Sequence, residues 1–318
     1  LPPSWSSSLP DIAVIVPFSD IHDLPLHLVQ RTSQKVPIGA EVGITYASSM
    51  SLLVRCADRN PARQMNLADW TFDGINPPQG HCPVTSVRAG GVDALRGQSE
   101  MFGTICQDLS RIIEPDWEDK FHVPFNRAMA KAACRVKEKV DLLCMMAHGY
   151  VDSEDHRMSG LLLAEDMLGT IARPIPLHGQ RTFIFRDLPL RALPADVETV
   201  LPAEMFTAAE MEIDASLRIQ LVALLGCSAG FGRVLGGDEP ASLAETFLHI
   251  GAPSVIAPLW DSDVEATRQW ATYFLTAWAK LGMPKALAAR YALQQISQGS
   301  FASDPCKYGV MALRGDWL

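Results

Sequence analysis

Two apolar runs of strand length end abruptly in a reactive side chain beside small residues. One is Met145-Met146-Ala147-His148-Gly149 and the other is Leu224-Leu225-Gly226-Cys227-Ser228-Ala229-Gly230. Runs this short and this apolar fit buried strands of an α/β sheet. Residues just past the carboxyl ends of parallel strands share one crevice. In such a sheet the two ends bring a histidine and a cysteine together, although they stand far apart in the chain. A base beside a thiol is what nucleophilic cysteine chemistry requires.

The rest of the pattern fits the same kind of sheet. Strands are expected at 11–18, 42–46, 141–147, 218–225, 254–259 and 308–313. Helices are expected at 94–112, 125–140, 264–280 and 284–298. A further helix is expected to open at Asp238-Glu239-Pro240 and to close at Gly251, with Leu243, Ala244, Phe247 and Leu248 on one face. Alternating strands and helices predict an α/β layer with a largely parallel sheet. Residues 60–91 are rich in Pro, Gly and Asn and divide the chain into two parts. Residues 165–215 read as an irregular, Pro-containing insertion or flap.

Composition removes several classes of function. With 48% hydrophobic and 20% charged residues, the 318-residue chain is ordinary globular material. Its formal charge is −9 and no Lys/Arg block is present, so no direct nucleic-acid partner is expected. No apolar run approaches the roughly 18–20 residues that span a bilayer, so no membrane partner is expected either. The opening Leu1-Pro2-Pro3-Ser4 lacks the basic region and apolar core of an export signal. The seven cysteines are scattered without a C-x-x-C pair, which points to a reducing cytoplasm and against a structural zinc site. Neither metal nor cofactor is expected. Cys56, Cys106, Cys134 and Cys144 read as small core hydrophobes.

Cys227 is followed by Ser228-Ala229-Gly230, small residues that let a substrate backbone come close and leave main-chain N–H groups facing it. Those N–H groups and a nearby base lower a thiol's pKa toward a usable thiolate. The N–H of Gly149 is placed to serve an oxyanion. A serine alternative exists, because Gly226-Cys227-Ser228-Ala229-Gly230 also fits the G-x-S-x-G elbow. The histidine available after Ser228 is His249, too near for the usual chain order. Gly230-x-Gly232-x-x-x-Gly236 misses the spacing of a dinucleotide loop. His81, His156 and His178 fall in polar loops. Asp152, Glu154 and Asp155 either orient His148 or form an acidic rim.

These residues resemble a known family. His148-Gly149, Cys227 and the run Gly251-Ala252-Pro253-Ser254-Val255-Ile256-Ala257-Pro258-Leu259-Trp260 are similar to the CHAT domain, a caspase-like group of cysteine peptidases related to separase. Gly226-Cys227-Ser228-Ala229-Gly230 is particularly separase-like. Further anchors are Val14-Ile15-Val16-Pro17 with Leu24-Pro25-Leu26-His27, then Leu95 to Glu100, and finally Lys307 to Trp317. The resemblance implies a caspase-like α/β/α sandwich. Residues 1–91 would form a non-catalytic caspase-like part, and 92–318 a catalytic part with its insertion at about 165–215.

The resemblance also implies an endopeptidase acting on a protein substrate. Cys227 would attack the scissile carbonyl and His148 would give a proton to the leaving amine. The N–H groups of Gly149 and Cys227 would hold the oxyanion, with no third triad residue. Family members are commonly switched on by a fused or associated module, a helical-repeat scaffold or a nucleotide-signal sensor, in bacterial defence or signalling. The chain departs from the family pattern at Leu259-Trp260-Asp261-Ser262-Asp263. Asp261 or Asp263 would line the specificity pocket and select a basic residue, or cap the following helix. The contrasting expectation is a catalytically silent, caspase-like interaction module.

Overall fold

The computed structural model describes residues 9–18, 21–22, 24–30, 36–60, 87–91, 121–122, 130–131, 134, 140–152, 155–164, 173–177, 181–185, 200–212, 217–226, 229–230, 232–234 and 240–318. In chain order the first strands are β1 (Ile12–Ile15), β2 (Gly43–Tyr46), β3 (Val87–Gly91), β4 (Phe121–His122), β5 (Val140–Met146), β6 (His148–Tyr150) and β7 (Gly160–Ala164). Then come β8 (Arg173–Leu177), β9 (Arg181–Phe185), β10 (Val200–Thr207), β11 (Ile219–Leu224), β12 (Arg233–Val234), β13 (Pro240–Ala241), β14 (Ser254–Pro258) and β15 (Met311–Gly315). The helices are α1 (Met50–Arg59), α2 (Ala208–Glu212), α3 (Leu243–His249), α4 (Val264–Leu275), α5 (Lys285–Ser297) and α6 (Pro305–Tyr308).

The central sheet has eight strands in the order β1-β2-β15-β14-β11-β5-β3-β4. Neighbours are parallel except at β14 and β15, where the direction reverses. β3, β5, β11 and β14 therefore end at one edge of the sheet. Strands from both sides of position 91 share it, since β2 pairs with β15 and β3 with β5.

Side chains alternate between two apolar layers, as a pleated strand requires. Leu142, Cys144, Met146, Leu221, Ala223 and Ile256 face one core, against Trp270, Phe274 and Trp278 and against Leu293 of α5. Leu143, Met145, Val222, Leu224, Val255 and Ala257 face the other, against Leu243, Phe247 and Leu248 of α3 and Leu52 and Cys56 of α1. Helices on both faces bury every residue of β11 and β14, which explains their nearly continuous apolar runs. The result is the α/β/α sandwich expected from the family resemblance. Trp270 stacks on Phe274 at 5.1 Å between ring centroids, and Phe274 meets Trp278 at 6.3 Å, so one aromatic stripe holds α4 to the sheet. Among the described residues, no helix is long and apolar enough to cross a membrane.

Three details differ from the sequence expectations. The helix expected to open at Asp238-Glu239-Pro240 begins later, at Leu243. Pro240 pairs with Val234 in the β12–β13 ladder, and Ser242 supplies the cap by accepting from the Glu245 N–H. Gly251, at φ +129°, closes the helix as expected. The last strand starts at Met311 rather than Tyr308, because Asp304 caps a short turn of helix over Pro305–Tyr308. The helix from Val264 gives way to a π-helical turn at Thr276–Lys280.

Residues 165–215 are also more regular than expected. β8, β9 and β10 lie in this stretch and join β6 and β7 in a second, five-stranded sheet of order β6-β7-β10-β9-β8. Short apolar pieces such as Thr182-Phe183-Ile184-Phe185 are strand-forming once a neighbour takes up their backbone groups. The helix expected at 94–112, most of that at 125–140, and most of the loop-rich 60–91 lie outside the described residues.

Candidate active site

β5 and β11 run side by side, with Leu224 in register with Met145. The Leu225 N–H continues the ladder by donating to the Met145 carbonyl at 2.9 Å. His148 and Cys227 each stand three positions beyond that registered pair. The chain then passes through Ala147 straight into β6, so His148 opens the second sheet where the first one ends. His148-Gly149-Tyr150 pairs antiparallel with Gly160-Leu161-Leu162. Cys227 and Ser228 lie outside the described residues, and of His148 the backbone alone is described.

Gly226 supplies the closest approach between the two segments. A β-carbon at this position would lie 1.7 Å from the Ala147 carbonyl oxygen and 3.5 Å from the Gly149 nitrogen. No side chain fits there, so glycine is required for the neighbour of Cys227 to rest on the neighbour of His148. Gly149 itself is part-exposed in β6.

The chain after the cysteine is held from several directions. The Gly230 N–H donates to the Pro258 carbonyl at 2.8 Å, and the Ala244 N–H to the Ala229 carbonyl at 3.2 Å. Arg314 Nη2 donates to the Gly230 carbonyl at 3.0 Å, and its Nη1 meets Glu245 Oε1 at 3.1 Å. Both charged residues are buried. Sequence reasoning missed this pair, whose partners lie 69 positions apart. Gly230 and Gly232 are explained by close backbone packing rather than by a phosphate cradle. A β-carbon on Gly230 would lie 2.9 Å from the Pro258 oxygen, and one on Gly232 2.3 Å from the Ala241 oxygen. Gly236 lies outside the described residues.

β14 delivers Leu259-Trp260-Asp261 to the same edge of the sheet. Trp260 Nε1 donates to the Cys306 carbonyl at 2.8 Å, and Asp261 is exposed. Asp263 caps α4, with Oδ1 accepting from the Ala266 N–H at 3.0 Å, and its Oδ2 pairs with Lys307 Nζ at 3.0 Å. Partial burial works to raise its pKa, but the Ala266 N–H and Lys307 outweigh it and hold the carboxyl below the usual carboxylate value. The helix-capping role open to aspartate in this run is thus filled by Asp263.

Asp152 Oδ1 accepts from the Asp155 N–H at 2.8 Å, and Asp155 Oδ1 from the Arg157 N–H at 3.0 Å, which builds the turn after β6 that contains His156. Glu154, His81 and His178 lie outside the described residues. α3 runs back along the sheet, so the exposed His249 at its last residue stands near the start of β14, not its end. His249 is therefore not delivered to the edge of the sheet that a Ser228 elbow would need.

His27, from the Leu24-Pro25-Leu26-His27 anchor, is buried against the turn before β15. Its Nε2 donates to the Gly309 carbonyl at 2.7 Å and its Nδ1 accepts from Tyr46 Oη at 2.8 Å. Its backbone N–H also donates to that oxygen, at 2.9 Å. Burial lowers the imidazole pKa to about 4 and raises that of Tyr46. A neutral, fully bonded imidazole of this kind pins the first part of the chain to the turn before β15.

The sequence matches the CHAT domain over residues 10–306. A search of the curated proteins returns no match. Among solved structures, the chain is similar to the Saccharomyces cerevisiae separase–securin complex at 2.6 Å resolution. There the TM-score is 0.51 at 14% identity, covering 96% of this chain and 16% of that one. A second structure of the same complex, at 3.0 Å resolution, gives 0.51 at 15% identity, with 96% and 15% covered. The Arg-specific cysteine proteinase gingipain R gives 0.47 at 10% identity, with 87% and 54% covered. The chain thus spans about a sixth of the length of the separase structures it matches. The separase likeness shows the fold, and the match over nearly the whole sequence places the chain in the CHAT domain family.

Proposed function

We propose that the chain is a cysteine endopeptidase with His148 and Cys227 as its dyad. The observation that supports this reading is the seating of Gly226, the residue before Cys227, on the carbonyl of Ala147, the residue before His148. The Cys227 thiolate attacks the scissile carbonyl carbon, and the N–H groups of Gly149 and Cys227 hold the oxyanion. His148 gives its proton to the leaving amine, and water then releases the acyl group from sulfur.

Asp261 is the stronger candidate for selecting a basic residue before the scissile bond. Asp261 follows the end of β14 and is the more exposed of the two, while the Asp263 carboxylate caps α4 and pairs with Lys307. A carboxylate there favours Arg or Lys through charge-assisted bonds. The substrate is a protein inside the cell. An attached sensor or scaffold module switches the enzyme on, in a bacterial defence or signalling system.

The test is labelling with a peptidyl-arginine acyloxymethyl ketone, mapped by mass spectrometry, in the parent and in His148→Ala. Labelling confined to Cys227 and lost in the variant supports the dyad and the basic pocket. Labelling spread evenly over the exposed thiols, with no loss in His148→Ala, favours a catalytically silent interaction module instead.

A further inference from the structure

Arg314 lies on β15 opposite Val255, near the start of β14 and far from the edge where Cys227 is attached. Its side chain nevertheless ends at Gly230, three positions after Cys227. The guanidinium divides its terminal nitrogens between the Gly230 carbonyl at 3.0 Å and Glu245 Oε1 at 3.1 Å. Glu245 is 2% exposed and Arg314 5%, so the pair is almost wholly removed from water.

A buried ion pair is a poor source of stability unless its remaining polar atoms are satisfied, because two charges must first be desolvated. Here they are not all satisfied. Glu245 Oε2 and Arg314 Nε are buried without a hydrogen-bond partner among the described residues. Well-packed apolar side chains of similar volume would hold α3 to β15 as well. They would not donate to the Gly230 carbonyl. Gly230 is gripped through its N–H by Pro258 and through its carbonyl by Arg314, so each of the two peptide planes that flank its Cα is held by one bond. The second grip comes from 84 positions away in the chain.

Building on the reading of Cys227 as the nucleophile, we propose that Arg314, oriented by Glu245, is a positioning residue for the cysteine segment. By holding the Gly230 carbonyl it sets the orientation of the turn that carries the Cys227 sulfur and N–H. Glu245 neutralises the guanidinium within the core and fixes its plane. Neither residue touches the substrate.

The variants are the apolar pair Arg314→Met/Glu245→Leu and the charge-conserving Arg314→Lys. Three readouts are compared with the parent: thermal unfolding, the pH profile of Cys227 alkylation by iodoacetamide, and kcat and KM on a peptidyl-arginine amide. The apolar pair is expected to unfold at or near the parent temperature. Its kcat falls on the order of 10- to 100-fold, as misplacement of a reacting group by about an ångström does, with KM nearly unchanged. The midpoint of its alkylation profile moves to higher pH. Arg314→Lys has a single ammonium nitrogen where arginine places two to span the two acceptors, and is expected to give an intermediate kcat in a stable fold.

Turnover and alkylation within about twofold of the parent in either folded variant overturn the positioning role and leave the peptidase reading intact. If the apolar pair does not fold, Arg314→Lys alone decides. A parent whose Cys227 alkylates no faster than the exposed Cys306 and which turns over no peptide overturns the peptidase reading, and the positioning role with it.

Discussion

Gly226 rests on the carbonyl of Ala147 so closely that a β-carbon at 226 would lie 1.7 Å from that oxygen. The contact is backbone on backbone, so no rotamer change relieves it. Gly226→Ala must therefore displace either the end of β11 or the entrance to β6. Stability is expected to fall by about 1–3 kcal/mol, the usual cost of overpacking. The reactivity of Cys227 is expected to fall by about 100-fold. Gly299→Ala is the control, since a β-carbon there first meets carbonyl oxygens at 3.5 Å. It is expected to change stability by no more than about 0.5 kcal/mol. Urea unfolding and thiol-labelling rates measure both, and equal behaviour of the two variants contradicts the close contact.

The buried His27 makes stability depend on pH in a defined window. Burial holds the folded imidazole at about 4, below the ordinary value of 6.5. The unfolded chain therefore takes up the proton first as pH falls. The contribution of His27 is complete above pH 6.5 and is lost progressively down to pH 4, at up to about 1.4 kcal/mol per unit. His27→Gln is expected to flatten the curve of unfolding free energy against pH between those limits. Carboxylates with lowered values, such as Asp263, act at more acidic pH. An unchanged slope in His27→Gln would show that the imidazole is already charged in the folded protein.

Thiol chemistry separates the cysteines by environment. Burial is the main cause that pushes Cys56 up to about 12, beyond the range where an appreciable thiolate forms at neutral pH. Cys134 and Cys144 are also buried, whereas Cys306 is exposed. Brief iodoacetamide treatment at pH 8 is expected to modify Cys306 and spare Cys56, Cys134 and Cys144. All of them become reactive in denaturant. Peptide mapping that finds Cys56 alkylated in the native protein would contradict the packing of α1 against Ala252.

Much of this fold is legible in the sequence where burial is two-sided. β11 and β14 are covered on both faces, so each reads as a mainly apolar run, broken in β11 by Gln220 alone. The start of α3 is not legible. Pro240 in a first-turn position looks like a helix signal, and only its ladder partner Val234 shows otherwise. β10 escapes for the same reason, since its strand partners β7 and β9 lie elsewhere in the chain. At the candidate site, the two strand ends are readable because each is local. The Glu245–Arg314 pair is not, because nothing near either residue announces a partner 69 positions away.

The two aspartates after Trp260 are chemically alike and structurally different, and substitution should separate them. Asp263 caps α4 and accepts from the Ala266 N–H, so Asp263→Ala is expected to cost about 1 kcal/mol of stability. Asp263→Asn keeps an acceptor oxygen for that N–H and is expected to fold normally, with turnover of a peptidyl-arginine substrate little changed. Its lost partner Lys307 is a surface ammonium whose ion pair adds little in water. Asp261→Asn leaves the N-cap of α4, which is Asp263, in place. If Asp261 binds the basic side chain, kcat/KM for the arginine substrate falls by about 10- to 100-fold, the scale of a hydrogen bond to a charged group. Its turnover of substrates without that charge is unaffected. Steady-state kinetics on matched arginine and norleucine peptides, with urea unfolding of each variant, measure both effects. A larger loss of arginine preference in Asp263→Asn than in Asp261→Asn would reverse the assignment and make Lys307 an occupant that the substrate must displace.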